Sequence, residues 1–480
     1  MVADLRSFKH LFAGGVVLGL SACAGVPELG PKPLLQSAGQ LGAKSLRGSA
    51  AAWPISAWWR GYGDPQLNAL VEEALTGSPD VAIAAARLRA AEAAAQQAGA
   101  ALVPSLELDA SVAAAKQSYN NGPPRQFVPQ GIQDIGRVAG TLSFDLDLWG
   151  RNRAALAAAT SEAEAARVDA EQSALLLSTA IASAYADLAG LYASRDVAAE
   201  AVRVRGDTAE LTARRVANGL DTRGEQLQAE SRVPAARAEL AALDEAIALT
   251  RNRLAALVGK GPDRGATIAR PAISVPGTAL PQRLDLDLLG RRPDLVAARL
   301  RSEAAASRIK VARAAFYPNI NLSALVGLQA IGLGNLFESG SSFGSAGPAL
   351  SLPLFDGGRR EGGYRGARAQ YDEAVARYNG TLVAALREVA DATASLKALD
   401  VRLVEQRSAL AAAEAAARIA RIRYQGGLAN QLTALQADDT VLGFRRAVAE
   451  LEARRFALDV ALVRALGGGF RYQSELAGLR

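Results

Sequence analysis

The sequence predicts a membrane α+β protein built as an internal tandem duplication, in which pairs of β-strands alternate with very long helices. The segment that begins SPDVAIAAARLRAAEAAA at Ser78 resembles the segment that begins RPDLVAARLRSEAAASRI at Arg292. Each copy contains two segments of strictly alternating apolar and polar residues, the period of a β-strand. Each pair is followed by an alanine-rich stretch of about 67 residues, which as a helix would span roughly 100 Å. Ordinary globular domains are not that wide.

The N-terminus resembles the signal peptide of a bacterial lipoprotein. Residues 1–22 carry Arg6 and Lys9, then the apolar run LFAGGVVLGL, and end in small residues before Cys23. The run is too short to span a membrane, and LSAC resembles the lipobox at which the cysteine is acylated. We expect residues 1–22 to be removed and Cys23 to carry lipid, with 23–60 as anchor and extended segment. An ordinary signal peptide that happens to end at a cysteine is the alternative.

Rare residues exclude several classes of function. The single His10, Cys23 and Met1 all lie within the first 23 positions, so the rest of the chain cannot assemble a His or Cys metal site or a Ser-His-Asp triad. The net charge of +6 comes from 54 basic and 48 acidic residues that are dispersed along helical segments, which argues against nucleic-acid binding. We therefore expect no enzyme and no cofactor other than the covalent lipid.

The two copies give the domain plan. Pro104 and Pro318 lie 214 residues apart, while Gly219 and Gly427 lie 208 apart. Repeat 1 is predicted at 61–259, repeat 2 at 287–467, a linker or equatorial segment at 260–286 and a C-terminal equatorial segment at 468–480. Each repeat begins with a helix. In repeat 1 a hairpin (102–148), a long helix (151–218) and a return helix (222–257) follow; in repeat 2 the corresponding elements are 317–356, 359–425 and 430–466.

Alternation along the strands predicts a sheet with one apolar and one polar face. Four strands cannot close a barrel, and a strand in lipid must not have a free edge. We therefore expect a homotrimer with twelve strands, in which leucines face lipid and acids face a wet lumen. The expected lumen-facing acids are Glu107, Asp109, Asp145 and Asp147. A soluble sandwich with the apolar faces turned inward is the alternative.

Several motifs together resemble the TolC-like outer-membrane factors, and within them the OprM/NodT-type lipoproteins. They are WWRGYGDPQLNALVEEAL (58–75), LDLWGR (146–151), RRPDL (291–295), PLFDGGR (353–359) and RYQGGL (423–428). The resemblance covers nearly all of the mature chain. It implies a trimeric twelve-stranded outer-membrane barrel continuous with a long periplasmic α-helical barrel, which docks on a periplasmic adaptor and an inner-membrane transporter.

The same resemblance points to functional residues at the helix tips. Gly219, Leu220, Gly427 and Leu428 match the adaptor-contact turns, and glycine there permits the positive φ of a tight reversal. Candidates for the periplasmic gate are Asp221, Tyr424, Asp438 and Asp439. The three acids either form a ring that points into the channel or are solvated charges on its outer face. The gate departs from the family pattern, because Gln436, Thr433 and Ala429 replace its usual charged residues.

The resemblance implies an outer-membrane exit duct of a tripartite efflux system, with an inner-membrane partner of the resistance-nodulation-division (RND) type. The lipobox and RRPDL favour efflux over protein secretion. The duct would be lipid-anchored in the outer membrane of a Gram-negative cell and extend into the periplasm. Two alternatives are the exit duct of a type I protein-secretion system and a non-conducting lipoprotein that spaces the envelope. The sequence does not determine the substrate, because the transporter selects it.

Overall fold

The computed structural model describes residues 25–42, 52–120, 124–275 and 290–473, so Cys23 lies outside the described residues. The chain divides into two compact units. The strand unit is formed mainly by Leu88–Ala165 and Ala298–Arg377, and the helical unit mainly by the described parts of Leu35–Arg87, Ala166–Ala297 and Tyr378–Arg480.

Helices of equal length recur in the two copies. The long helices α3 and α7 both have 67 residues, the return helices α4 and α8 both have 35, and α2 and α6 both have 22. The bounds are α1 Pro65–Gly77, α2 Pro79–Ala100, α3 Arg151–Ala217, α4 Arg223–Leu257, α5 Pro262–Ala266, α6 Pro293–Ala314, α7 Arg359–Gln425 and α8 Gln431–Ala465. Three matched pairs of lengths show that the copies have the same plan.

One antiparallel sheet contains the four described strands in the order β1-β2-β3-β4. The strands are β1 Ser105–Ala115, β2 Gln133–Asp145, β3 Asn319–Ile331 and β4 Ser342–Ser351. Ser105 pairs with Ser143 and Leu106 with Leu142, so polar and apolar residues keep to opposite faces across the pair. The central pair, β2 with β3, joins the two copies.

The apolar face of this sheet is open in the single chain. Leu106, Leu108, Val326 and Leu350 are 76%, 77%, 72% and 68% exposed. A sandwich would bury these side chains against a second sheet. The alternative of a soluble sandwich is therefore wrong, since the described strands form one sheet whose apolar side no protein layer covers.

A capping aspartate explains how a strand passes almost directly into a 67-residue helix. Strand β2 ends at Asp145, and Asp147 accepts hydrogen bonds from the backbone amides of Asn152 at 2.8 Å and Arg153 at 3.0 Å. Burial alone would raise the pKa of Asp147, but these bonds and the Arg153 guanidinium lower it below its ordinary value. With 8% exposure and a φ of 45°, Asp147 does not face a lumen. That prediction was wrong because the residue lies beyond the strand, where the unpaired helix N-terminus binds its carboxylate.

The second copy has the same device. Asp356 accepts hydrogen bonds from the amides of Gly358 and Arg360, both at 3.2 Å, and from Arg360 Nε at 2.7 Å. Burial opposes these bonds, yet their net effect lowers the pKa of Asp356. LDLWGR and PLFDGGR are thus junction motifs in which one carboxylate stabilises the first turn of a long helix.

The motif WWRGYGDPQL builds the aromatic core of the helical unit. Trp58 contacts Trp59 and Tyr62 edge-on, with ring centroids 5.8 and 6.0 Å apart. Tyr62 packs on Phe456 and donates a hydrogen bond to the buried carboxylate of Asp459 at 2.6 Å. Burial, together with the Asp459 charge, raises the pKa of Tyr62 far above its ordinary value. The motif therefore attaches the segment before α1 to the return helix α8.

RRPDL has a structural role in the second copy. Arg292 is 6% exposed and forms ion pairs with Asp294 at 2.5 Å and Glu388 at 2.9 Å. It also donates to the carbonyl of Ala465, at the end of α8. A buried charge is stable only when it is paired and hydrogen-bonded, and here the pairing joins α6, α7 and α8.

Helix α3 contains a stretch apolar enough to cross a membrane by length and composition, but 56% of that stretch is buried inside the protein. Its residues Leu177, Ile181, Tyr185 and Leu188 belong to the aromatic core cluster of the helical unit. The apolar character of α3 thus accompanies packing against protein.

Candidate functional site

The first hairpin tip joins α3 to α4 through a glycine turn. Gly219 has a φ of 71°. The Leu220 amide donates to the carbonyl of Arg215 at 2.9 Å, and the Gly219 amide donates to that of Val216 at 2.9 Å. This pair of bonds is the Schellman ending, which needs a left-handed residue after the helix. Leu220 is left 65% exposed at the apex.

The second tip, between α7 and α8, repeats this geometry. Gly427 has a φ of 73°, and the Leu428 and Gly427 amides donate to the carbonyls of Arg423 and Tyr424 at 2.7 and 3.0 Å. Leu428 is 74% exposed. Each tip thus presents one leucine to solvent on a turn whose glycine and leucine amides are hydrogen-bonded to the preceding helix.

The tips differ in charge. Asp221 accepts two hydrogen bonds from the Arg215 guanidinium, at 2.7 and 2.8 Å. These bonds lower the pKa of the Asp221 carboxyl below its ordinary value. Ala429 stands at the equivalent place in the second tip, where Arg423 has no acidic partner among the described residues. Only the first turn is therefore closed by its own ion pair.

Both return helices begin with side-chain caps. Thr222 and Glu225 form a reciprocal capping box at the start of α4. Asn430 caps α8 by accepting from the Thr433 amide at 2.9 Å. Thr433 thus donates its backbone amide to this cap.

Two consecutive acids of α8 reach two different long helices. Asp438 accepts from Arg421 of α7 at 2.6 Å, and Asp439 accepts from Arg205 of α3 at 3.1 Å. Beside the second pair, Ala201 and Val204 of α3 pack against Leu435 and Leu442 of α8. The two carboxylates therefore connect α8 to both long helices within one chain, where the sequence left open an inward ring or solvated charges.

A charged cleft of about 420 Å³ lies next to these pairs. Glu200, Arg203, Arg421, Asp438 and Arg445 line it, and Arg203 is paired with Glu200 at 2.6 Å. Tyr424, the fourth gate candidate, donates to Gln431 Oε1 at 3.1 Å across the second turn. Tyr424 and Asp438 thus both bridge α7 to α8, while Asp221 stabilises the other hairpin.

The acids of the strand unit are divided between two environments. Glu107 and Asp109 are exposed on β1, on the face shared with Asp145 of β2. Asp145 is ion-paired with Arg151 at 3.0 Å, at the start of α3. Asp147 belongs to the helix cap described above, so three of the four predicted lumen acids share the polar face.

Sequence reasoning missed the basic partners. Three arginines pair with the acids that were candidates for the gate, but they lie among many arginines in similar helical surroundings; they are Arg215, Arg421 and Arg205. Arg421 could have been found, because the antiparallel hairpin returns α8 alongside the end of α7. Arg205 could not, since it is 234 residues from Asp439 and in the other copy.

Within the described ranges, no group of three or more His, Cys, Asp or Glu side chains has the geometry to hold a metal ion. The geometry offers instead an apolar-faced sheet, long helices and capped tips with exposed leucines. Together these features are typical of a membrane protein of mixed strand and helix construction.

A family model agrees with this class of protein and identifies the family within it. The model of the outer membrane efflux protein family matches residues 70–260 and 286–468, one match for each copy. The chain belongs to this family, and the resemblance stated from its motifs is confirmed.

Three relatives illustrate the likeness. The chain is 37% identical over 356 residues to the fusaric acid resistance protein FusA of Burkholderia cepacia, across 72% of this chain and 66% of the relative. It is 32% identical over 433 residues to the multidrug resistance outer membrane protein MdtP of Shigella flexneri, across 88% of each. The crystal structure of the outer membrane protein VceC of Vibrio cholerae superposes with a TM-score of 0.81 at 47% identity, covering 87% of this chain and all of VceC.

These comparisons confirm the predicted fold class and place the protein in the outer membrane. The family is one of outer membrane efflux proteins.

Proposed function

We propose that this protein is the outer-membrane exit duct of a tripartite efflux system and works as a homotrimer. Three chains would contribute twelve strands to one barrel and their long helices to a periplasmic tunnel. The duct performs no chemistry, and the energy for export comes from the inner-membrane transporter.

The sheet carries this proposal. Within the described residues, β1 pairs only with β2, and β4 only with β3, so the sheet has two bare edges. Its apolar face is open to the surroundings. Unpaired backbone groups in lipid cost several kcal/mol each, so a lipid-facing sheet of this kind must be closed by further copies. In a closed barrel Glu107 and Asp109 would face the lumen opposite the lipid-facing leucines.

Anchoring belongs to the proposal as well. Acylation of Cys23 would add acyl chains to the protein, and two or more chains anchor a protein stably. The anchor would retain each chain at the outer membrane before the barrel closes.

The two hairpin tips are the proposed sites of adaptor docking and of channel closure. Leu220 and Leu428 are exposed at turns that are rigid through their own hydrogen bonds, which suits them to apolar contact with a periplasmic adaptor. The pairs Arg215–Asp221, Arg421–Asp438 and Arg205–Asp439 would hold the helix hairpins in the closed position. Adaptor binding would separate them.

Small organic compounds are the proposed cargo, since MdtP and FusA are named for multidrug and fusaric acid resistance. The lipobox and RRPDL support efflux over protein secretion, and an RND-type transporter is the proposed partner. Export of an unfolded protein would instead point to a type I secretion system.

Single-channel recording of the purified protein, with chemical crosslinking to count subunits, tests the proposal. We expect a trimer with a small, cation-preferring conductance that rises when the tip pairs are removed. Cys23→Ser tests the anchor separately. This variant should lose acylation but still form a conducting channel. A monomer that never conducts would refute the duct and support a lipoprotein spacer.

A further inference from the structure

A cleft of about 630 Å³ opens in the strand unit between the start of α3 and the end of α6. Its lining includes Trp149, Arg153, Ser307, Lys310, Arg313 and Tyr317. Neither the proposed export path nor the tip sites use this cleft.

The charge of the cleft is positive. Arg153 is ion-paired with Asp147 at 3.2 Å, whereas Lys310 and Arg313 have no carboxylate partner among the described residues. Both lie on the exposed side of α6, three residues apart. Residues three apart are neighbours on one helix face, so the two cations can bind a single anionic group.

Two aromatic rings form the wall next to these cations. Trp149 stacks on Tyr317 with ring centroids 4.6 Å apart. The indole Nε1 of Trp149 donates to the carbonyl of Pro318 at 2.7 Å, so its polar edge is bonded to backbone while the side chain remains 52% exposed. Tryptophan and tyrosine in this amphipathic arrangement are characteristic of the membrane–water boundary.

The cleft also lies where the strands end. Strand β2 ends at Asp145 and β3 begins at Asn319, so Trp149 and Tyr317 lie close to strand ends, and the other lining residues lie on the adjoining turns of α3 and α6. Leu148, next to Trp149, is 56% exposed. If the strands cross the outer membrane, as the proposed function holds, the cleft lies at the level of the phospholipid headgroups of the periplasmic leaflet.

We propose that this cleft binds the headgroup of an anionic phospholipid. The headgroup phosphate would lie between Lys310 and Arg313, and the glycerol and upper acyl chain would lie against Trp149. Juxtaposed cations and an aromatic pair match the phosphate and the apolar part of one molecule. Exported anions offer no such apolar tail, so the lipid is the occupant that fits both parts of the cleft.

Lipid titration of the full-length purified protein, followed by native mass spectrometry, tests the site. We expect dioleoylphosphatidylglycerol to bind more tightly than dioleoylphosphatidylethanolamine. Lys310→Gln with Arg313→Gln should weaken the former about 25-fold, since each cation near an anionic lipid surface contributes about fivefold. The charge-preserving pair Lys310→Arg with Arg313→Lys should bind as the wild type does.

The control pair is Arg87→Gln with Arg89→Gln. These arginines are exposed on α2 and lack ion-pair partners among the described residues. Their substitution removes the same amount of positive charge as the test pair does. Equal weakening in the control, or none in the Lys310 and Arg313 pair, would overturn the proposal. Displacement of the lipid by millimolar inorganic phosphate would show that the site takes free phosphate and would overturn the commitment to lipid.

A second measurement tests whether the cleft is accessible to membrane lipid. Brominated phosphatidylglycerol should quench the tryptophan fluorescence of the reconstituted protein, and Trp149→Phe should remove most of that quenching. Quenching that persists unchanged in Trp149→Phe would refute the site. Channel conductance is recorded on the same samples, because a conducting protein without lipid selectivity refutes this site alone, whereas lipid selectivity without conductance refutes the duct.

Discussion

Asp438 and Asp439 are consecutive on α8, yet their carboxylates hold different long helices: Asp438 binds Arg421 of α7, and Asp439 binds Arg205 of α3. The two side chains point to different sides of one helix, because neighbouring helical residues are about 100° apart. A return helix attached on both sides in this way resists displacement from the two long helices.

Removing these pairs should favour the open duct. We expect Asp438→Asn and Asp439→Asn each to raise the open probability about twofold to fivefold, the range typical of ion pairs near a surface. The double variant should approach the product if the pairs act independently. Single-channel recording measures the effect. Glu210→Gln is the control, since Glu210 pairs with Arg214 four residues away on α3 itself; an equal rise in that variant would refute a role for contacts between helices.

The first tip should depend on pH through Asp221. Its pKa is lowered in the folded state by the Arg215 hydrogen bonds. The pair therefore contributes stability fully above the ordinary carboxyl pKa of 3.8 and loses it as the pH falls through the lower folded value. The hydrogen-exchange protection factors of residues 215–223, which compare the measured rates with the intrinsic rates at each pH, should stay unchanged from pH 7 to 5 and fall only below about 3.8.

Asp221→Asn should lower the protection of these amides about twofold to fivefold already at neutral pH. Their protection should then no longer depend on pH in the acidic range. The second tip, with Ala429 in place of an acid, serves as the internal control and should not respond between pH 7 and 3. A parallel response of both tips would mean that another group titrates.

The helix junction offers a test of the cap. Asp147→Ala removes the hydrogen-bond acceptor and leaves a side chain that disfavours a φ of 45°, so we expect a loss of about 2–3 kcal/mol in unfolding free energy. Asp147→Asn keeps an acceptor and tolerates this backbone conformation, and should cost about 1 kcal/mol or less. Chemical denaturation in detergent compares them; equal losses would show that charge, and not capping, matters.

Two glycines of α3 form a matched pair. A Cβ added at Gly190 would lie 2.6 Å from the Cβ of Ala453 on α8, whereas one at Gly206 would meet nothing within 4 Å. Gly190→Ala should therefore destabilise the protein by about 1–3 kcal/mol. Gly206→Ala should stabilise it by about 0.5–1 kcal/mol through helix propensity. Thermal unfolding followed by circular dichroism measures both, and a stable Gly190→Ala variant would show that α3 and α8 are not closely packed there.

Much of the candidate site followed from local rules. The turn glycines Gly219 and Gly427 could be found because a tight helix reversal needs a positive φ. Asp147 was misplaced, because alternation continued past the end of the strand and the sequence does not mark where hydrogen bonding to β3 stops. RRPDL served as a family motif, but its structural role depends on Glu388 and Ala465, which are distant in the sequence.

By itself the sequence determined the duplication, the membrane α+β class and the family. Strand period, helix length and turn glycines are local properties, so they can be recognised in the sequence without knowing how the chain folds. Only the tertiary structure decided which arginine holds which acid. Asp438 and its partner are 17 residues apart and Asp439 and its partner 234, and similar arginines surround both partners. Such choices depend on how helices from the two copies pack, since an ion pair forms only where packing brings two charges within a few ångströms.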